Sequence, residues 1–258
     1  MVKFRKYEEK LSKYLQRLSE IKFKDKLKRL VYRIGIHHQE EFELIAESPK
    51  QLNFPCQIGV LFCGDFKDTL YDTIKMNINL IFDSLFYNFR NLGDYSFSKE
   101  LFEKGVKNEF KITKENNERI ELHPTNKFYQ VLIKKRKEED IDMILFITNL
   151  PLYSSSEENI LFLFGETHLR HLCSIVSTLT LKEKFYNRED NQDLFNERVI
   201  KETIHEIGHL ILGPSHCENH LCVMHFSNDV EEIDNKSIYL CEKCKIKLGK
   251  IRNSFNLN

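Results

Sequence analysis

Apolar positions recur along this chain at two spacings, and each change of spacing marks a new element. In residues 1–35, Phe4, Tyr7, Leu11, Tyr14, Leu18 and Ile21 return every three or four positions. That stripe predicts an amphipathic helix with Lys and Arg on its other faces. Asn53-Phe54-Pro55 reads as a boundary. Gln57 to Cys63 is a short apolar run containing β-branched residues, which predicts a buried strand, and residues 68–90 follow with helical spacing. The polar stretch 104–140, rich in Lys, Glu and Asn, is expected to hold a strand or hairpin with a surface insertion. Ile141 to Thr148 predicts a second buried strand, with a turn region at Pro151 and Ser154 to Ser156. Ile160 to Phe164 and Ser174 to Leu179 predict two more strands. Helical spacing returns over residues 193–212 through Leu194, Val199, Ile200 and Ile204, and Gly213-Pro214 should stop that helix. Strands alternating with helices indicate an α+β, α/β-like sheet domain that ends in an irregular, cysteine-rich tail.

Composition narrows the class. With 258 residues, 41% hydrophobic and 30% charged, the chain can bury a core without covalent staples and is neither fibrous nor disordered. Lys+Arg and Asp+Glu both number 39, so there is no global field for nucleic acid or a membrane surface, and neither partner is expected. No apolar run is long enough for a membrane helix. Residues 1–33, however, carry twelve basic and four acidic side chains, net +8. This segment is either an arm for an acidic partner or an amphipathic helix packed on its own domain. The second reading is preferred, because the apolar stripe needs covering.

The opening MVKFRKYEEK has no apolar stretch behind its basic residues and is not a secretory signal, which implies a cytoplasmic location. Under reducing conditions the seven cysteines are expected to be thiols or metal ligands. Cys56, Cys63 and Cys173 are scattered in apolar surroundings and read as small core residues, whereas the other four fall between Cys217 and Cys244.

The chemistry is concentrated in His205-Glu206-Ile207-Gly208-His209, an H-E-x-x-H motif within the last predicted helix. Residues four apart lie on one helix face, so both imidazoles can converge on one ion while Glu206 leans over the open metal position as a general base. A zinc ion with three protein ligands acidifies its bound water and polarises a scissile carbonyl. His216, beyond the predicted helix stop, is a third ligand of the right type, with His220 as the alternative. Cys217-x4-Cys222 and Cys241-x2-Cys244 suit a closed tetrahedral zinc site of four thiolates.

The run from His205 to Cys244, HEIGHLILGPSHCENHLCVMHFSNDVEEIDNKSIYLCEKC, resembles the archaemetzincins, a branch of the metzincin zinc peptidases. In weaker form the resemblance reaches upstream to Ile58-Gly-Val-Leu, to Thr148–Tyr153 with Phe162–Glu166, and to Ser174–Leu181. It implies a metzincin-like twisted mixed sheet with an active-site helix and a small zinc-stabilised C-terminal subdomain. The chain would then divide into an N-terminal extension (1–54), an upper metallopeptidase subdomain (55–213) and a lower subdomain (214–258). By the same resemblance His205, His209 and His216 hold a catalytic zinc, Glu206 is the base, and Met224 forms an apolar floor. Cys217, Cys222, Cys241 and Cys244 hold a structural zinc, making two Zn(2+) per chain. The strand near Ser174–Thr178 would be a sheet edge that binds an extended peptide or protein substrate by strand addition. One departure is plain: three residues, Leu210 to Leu212, separate His209 from Gly213, where metzincins usually have two.

The expected function is therefore a zinc-dependent metallopeptidase of endopeptidase or aminopeptidase type. The alternatives are a four-cysteine zinc-stabilised binding module, or an inactive metzincin-like protein, using the basic helix to bind an acidic partner.

Overall fold

The computed structural model describes residues 35–36, 52–98, 106–112, 117–155 and 162–257. The Phe4 to Ile21 helix and most of the 1–54 extension lie outside these residues. Nine strands are described: β1 (Gly35–Ile36), β2 (Cys56–Cys63), β3 (Phe86–Asp94), β4 (Lys107–Ile112), β5 (Asn117–Pro124), β6 (Met143–Thr148), β7 (Leu152–Tyr153), β8 (Gly165–His168) and β9 (Cys173–Ser177). Five α-helices accompany them: α1 (Thr69–Ile81), α2 (Thr125–Glu138), α3 (Gln192–Leu212), α4 (Val230–Asn235) and α5 (Glu242–Ser254). None is long and apolar enough to cross a membrane.

The main sheet is mixed and six-stranded, in the order β1-β8-β9-β6-β2-β3. β3, β2, β6 and β9 run parallel, and β8 returns antiparallel to β9. β4, β5 and β7 form a separate three-stranded sheet. The central strands are covered on both faces, which is why β2 and β6 read as continuous apolar runs rather than alternating ones. Ile58, Val60, Met143, Leu145 and Ile147 point into the larger core with α1 and α3. Leu61, Ile144 and Phe146 point the other way, onto Phe128, Tyr129, Leu132 and Ile133 of α2.

Several expected elements differ. The helix expected over 68–90 ends at Ile81, and 86–94 is strand β3. Ile78, Phe82, Phe86 and Phe89 carry a three-or-four spacing straight through the break, and the turn is made by Ser84 at φ +67 rather than by Gly or Pro. Within 104–140 the hairpin β4–β5 is present, but 125–138 is helix α2. The strand expected at Ile160–Phe164 lies at Gly165–His168; residues 156–161 are outside the described set. The strand at Ser174 is present as β9, but it is no edge. Its two sides are taken by β6 and β8, so it has no free N–H and C=O row to offer a substrate.

Candidate metal centre

Helix α3 carries the H-E-x-x-H segment. Asn191 caps its first turn, its side chain accepting from Leu194 N–H at 3.0 Å. The inner face is apolar through Phe195, Val199, Ile204, Ile207 and Leu210. The helix continues through Leu212, so the additional residue after His209 is absorbed as one more helical position. Gly213 then takes φ +93, a conformation open to glycine, and turns the chain back.

That turn delivers His216 to the two helical histidines. The ring centroids lie 4.6 Å apart for His205–His209, 5.3 Å for His205–His216 and 4.8 Å for His209–His216. One nitrogen from each falls within 4.8 Å of the others. His220, the alternative, is exposed and outside the group.

The hydrogen bonds fix the tautomers. His205 Nδ1 lies 2.8 Å from Val223 O, and His209 Nδ1 lies 3.1 Å from Gly213 O. A carbonyl only accepts, so each Nδ1 carries the proton and each Nε2 a lone pair. Those two Nε2 atoms are 3.0 Å apart, and His216 Nε2 is buried with no hydrogen-bond partner among the described residues. Converging lone pairs repel one another unless a cation sits among them, and Nδ1–H donated to a carbonyl is the usual support of a ligating imidazole. Burial, together with the Lys236 ammonium and the neighbouring imidazoles, holds all three rings on the neutral side: His205 well below its usual range, His209 at about 3 and His216 at about 4. The donor set fits zinc.

Glu206 is fully buried beside these histidines, and burial raises its carboxyl well above the ordinary range, opposed by a hydrogen bond from Thr167. Thr167 Oγ1 donates to Glu206 Oε2 at 2.6 Å and lies 2.9 Å from Ser174 Oγ, which also reaches Glu206 O at 3.3 Å. Glu206 Oε1 has no hydrogen-bond partner among the described residues. One carboxylate oxygen is thus tethered to β8 and the other left to accept. The carboxylate also lies over Gly165, where a Cβ would sit 2.5 Å from Oε1.

The second group is the four-cysteine cluster. Cys217, Cys222, Cys241 and Cys244 bring their sulfurs within 4.8 Å of one another, and none of the seven cysteines is disulfide-bonded. Burial raises Cys244, helped by Cys222 and Cys217. At Cys241 burial is outweighed by hydrogen bonds from the Cys244 backbone and the neighbouring thiols, which bring it to about 7. A cluster that already favours one thiolate suits a tetrahedral zinc. Met224, buried between the second and third cysteines, packs its sulfur against Gly208, on the helix between the two histidines. Of the other cysteines, Cys56 and Cys173 are buried as expected and Cys63 is half-buried.

Residues 104–250 match the family model described as Peptidase family M54. The chain belongs to peptidase family M54. Curated archaemetzincins are among the relatives of this M54 chain. That of Methanocaldococcus jannaschii is 40% identical over 121 residues, 47% of this chain and 65% of that protein. That of Thermococcus kodakarensis is 43% identical over 102 residues, 40% and 53% of the two chains. The aligned stretches thus span less than two thirds of these relatives' own length. Among solved structures, a zinc-dependent peptidase from Methanocorpusculum labreanum superposes with TM-score 0.57 at 22% identity, over 74% of this chain and 99% of that one. An archaemetzincin from Methanopyrus kandleri gives TM-score 0.53 at 20% identity, over 77% and 97%. These likenesses show that the M54 chain has the archaemetzincin fold.

The motif spacing pointed to the seven ligand-type residues and Glu206. It did not point to Gly165 and Thr167, which lie some forty positions upstream, nor to Glu202 and Lys236 described below. The one local signal was the buried Glu202, one turn before His205 and Glu206.

Proposed function

We propose that this chain is a zinc-dependent metallopeptidase in which His205, His209 and His216 hold the catalytic ion and Glu206 is the general base. Cys217, Cys222, Cys241 and Cys244 hold a second, structural zinc. The observation that carries the reading is the tethered carboxylate beside three converging imidazoles. Such a pairing of one free acceptor oxygen with a cation site has no use in a purely structural zinc module. Zinc, when bound, supplies a Lewis acid that polarises the scissile carbonyl and acidifies the attacking water.

The remaining steps belong to the chain's own residues. Glu206 Oε1 accepts the proton of the attacking water while Thr167 holds Oε2, so the base cannot rotate away from the reacting atoms. Glu206 keeps that proton until the leaving amine takes it, as the peptide C–N bond breaks. His205 and His209, fixed by Val223 and Gly213 carbonyls, stay in the tautomer that presents Nε2. Substrates on this reading are peptides or proteins.

Metal analysis combined with a peptide-library cleavage assay tests the proposal on wild type and Glu206→Ala. Both proteins should hold two zinc ions, and the variant should lose about 100- to 10,000-fold in cleavage rate. Wild-type cleavage by Glu206→Ala would exclude the assigned base, and a wild-type protein with a single zinc would return the chain to the binding-module reading.

A further inference from the structure

Glu202 of α3 and Lys236, just after α4, form a charged pair that the proposed chemistry does not use. Lys236 Nζ donates to Glu202 Oε1 at 3.1 Å, and both side chains are 0% exposed. A fully buried ion pair is a poor source of stability, because desolvating the two charges offsets their attraction. Its position is informative. Glu202 lies one helical turn before His205 and Glu206, and Lys236 directly follows α4.

Lys236 makes a second bond. Its Nζ donates to the carbonyl of His225 at 3.2 Å. His225 in turn donates from Nδ1 to the carbonyl of Cys217 at 2.7 Å, next to the third ligand, His216. The residues just before His225 are equally committed. Val223 O accepts from His205 Nδ1 at 2.8 Å, and Met224 O accepts from Cys217 N–H at 2.9 Å. The strap Val223–Met224–His225 therefore touches a helical ligand, the floor beneath the site and the loop that carries His216. Glu202, through Lys236, adds a second tie between that strap and the helix, beside the His205–Val223 bond.

We infer that Glu202 and Lys236 are positioning residues for the three-histidine site: the Glu202–Lys236–His225 chain sets the distance between the active helix and the loop bearing His216. The inference rests on the proposed catalytic zinc. It does not concern the identity of the base. Apolar residues of similar volume would fill the same space, but they could not hold the His225 carbonyl.

The test uses the full chain, with Lys236→Met and the double variant Glu202→Leu/Lys236→Met. The single variant strands a buried carboxylate and loses thermal stability; the double variant removes both charges and folds like wild type. Zinc affinity is measured by chelator competition, and cobalt(II) substitution separates the sites, since only the cysteine cluster gives thiolate charge-transfer absorption. Both variants should keep the thiolate-cobalt signal while the histidine site loses about 10- to 100-fold in zinc affinity, as when support behind a metal ligand is removed. Full recovery of that affinity in the double variant would reduce the pair to packing and overturn the inference. Equal weakening of both sites in the double variant would do the same. Failure of the proposed function is distinguishable, because there the wild-type histidine site itself would take up no zinc.

Discussion

Gly165→Ala separates the placement of the base from everything else at this site. Gly165 faces Glu206 across the interface of β8 and α3, and an added Cβ would stand 2.5 Å from Oε1 and 2.7 Å from both Cδ and Cγ. Gly165 is not among the glycines with positive φ, so its backbone accepts an L-residue without strain. Replacing glycine at such a position stabilises a fold by about 0.4–1 kcal/mol through the unfolded chain. The cost therefore falls on the carboxylate. To reach an ordinary contact of 3.4 Å it must retreat by about 1 Å, away from the Thr167 hydroxyl that holds Oε2 at 2.6 Å. A misplacement of about 1 Å in a reacting group costs on the order of 100-fold in rate. The expected result is kcat down about 100-fold on a fluorogenic peptide chosen from the library, with KM within about twofold and both zinc ions retained. A variant with wild-type kcat and two zincs would show that Glu206 does not act from the position it occupies here. Loss of a zinc would show that the methyl group disturbs the ligand helix rather than the base.

Three further expectations follow from the same geometry. His216→Ala should reduce zinc content from two to one and end cleavage, while His220→Ala, an exposed position, should change neither; metal analysis and peptide cleavage decide. Cys244→Ser should release the zinc of the cysteine cluster, lower the melting temperature and weaken the histidine site through Met224; retention of two zincs with unchanged melting refutes the four-cysteine assignment. Thr167→Val should lower kcat by about 10- to 100-fold, the worth of a hydrogen bond to a charged group, whereas Thr167→Ser should restore it. Equal activity of the Val and Ser variants would show that the hydroxyl does not orient Glu206.

What could be read from the chain alone divides by the sequence distance over which each feature is determined. The histidine pair is separated by one helical turn, and the helix that holds it is announced by its own apolar face and by a Gly-Pro stop. Both features were visible, and the third histidine needed only the turn at Gly213. The cysteine pairs have ligand spacings that few other structures require. Helix α2 was hidden for a different reason. Its Phe128, Tyr129, Leu132 and Ile133 have proper helical spacing, but Lys and Glu dominate the segment and the apolar stripe is narrow. At β3 the opposite happened: an apolar spacing carried across a break that no Gly or Pro marks. Whether a strand is an edge depends on its partners, and β9 gains its neighbour β8 only through a local reversal of chain direction at Leu169–Leu172.

The partners of Glu206 and Glu202 lay furthest from view. Thr167 reaches Glu206 across 39 positions, and Lys236 reaches Glu202 across 34. No periodicity or motif spacing connects such pairs, since each is set by how β8 and the segment after α4 dock on α3. A zinc ion needs ligands of particular chemistry, and that need leaves a local signature in the chain. The carboxylate and the ligand loop also need to be held at fixed distances, and any hydroxyl, ammonium or missing methyl in the right place can do this. Its sequence form is therefore free to be a Thr, a Lys or a Gly that looks ordinary among its neighbours. In this chain the residues of ligand type were legible, and the contacts around them became legible only once the strands and helices were placed together.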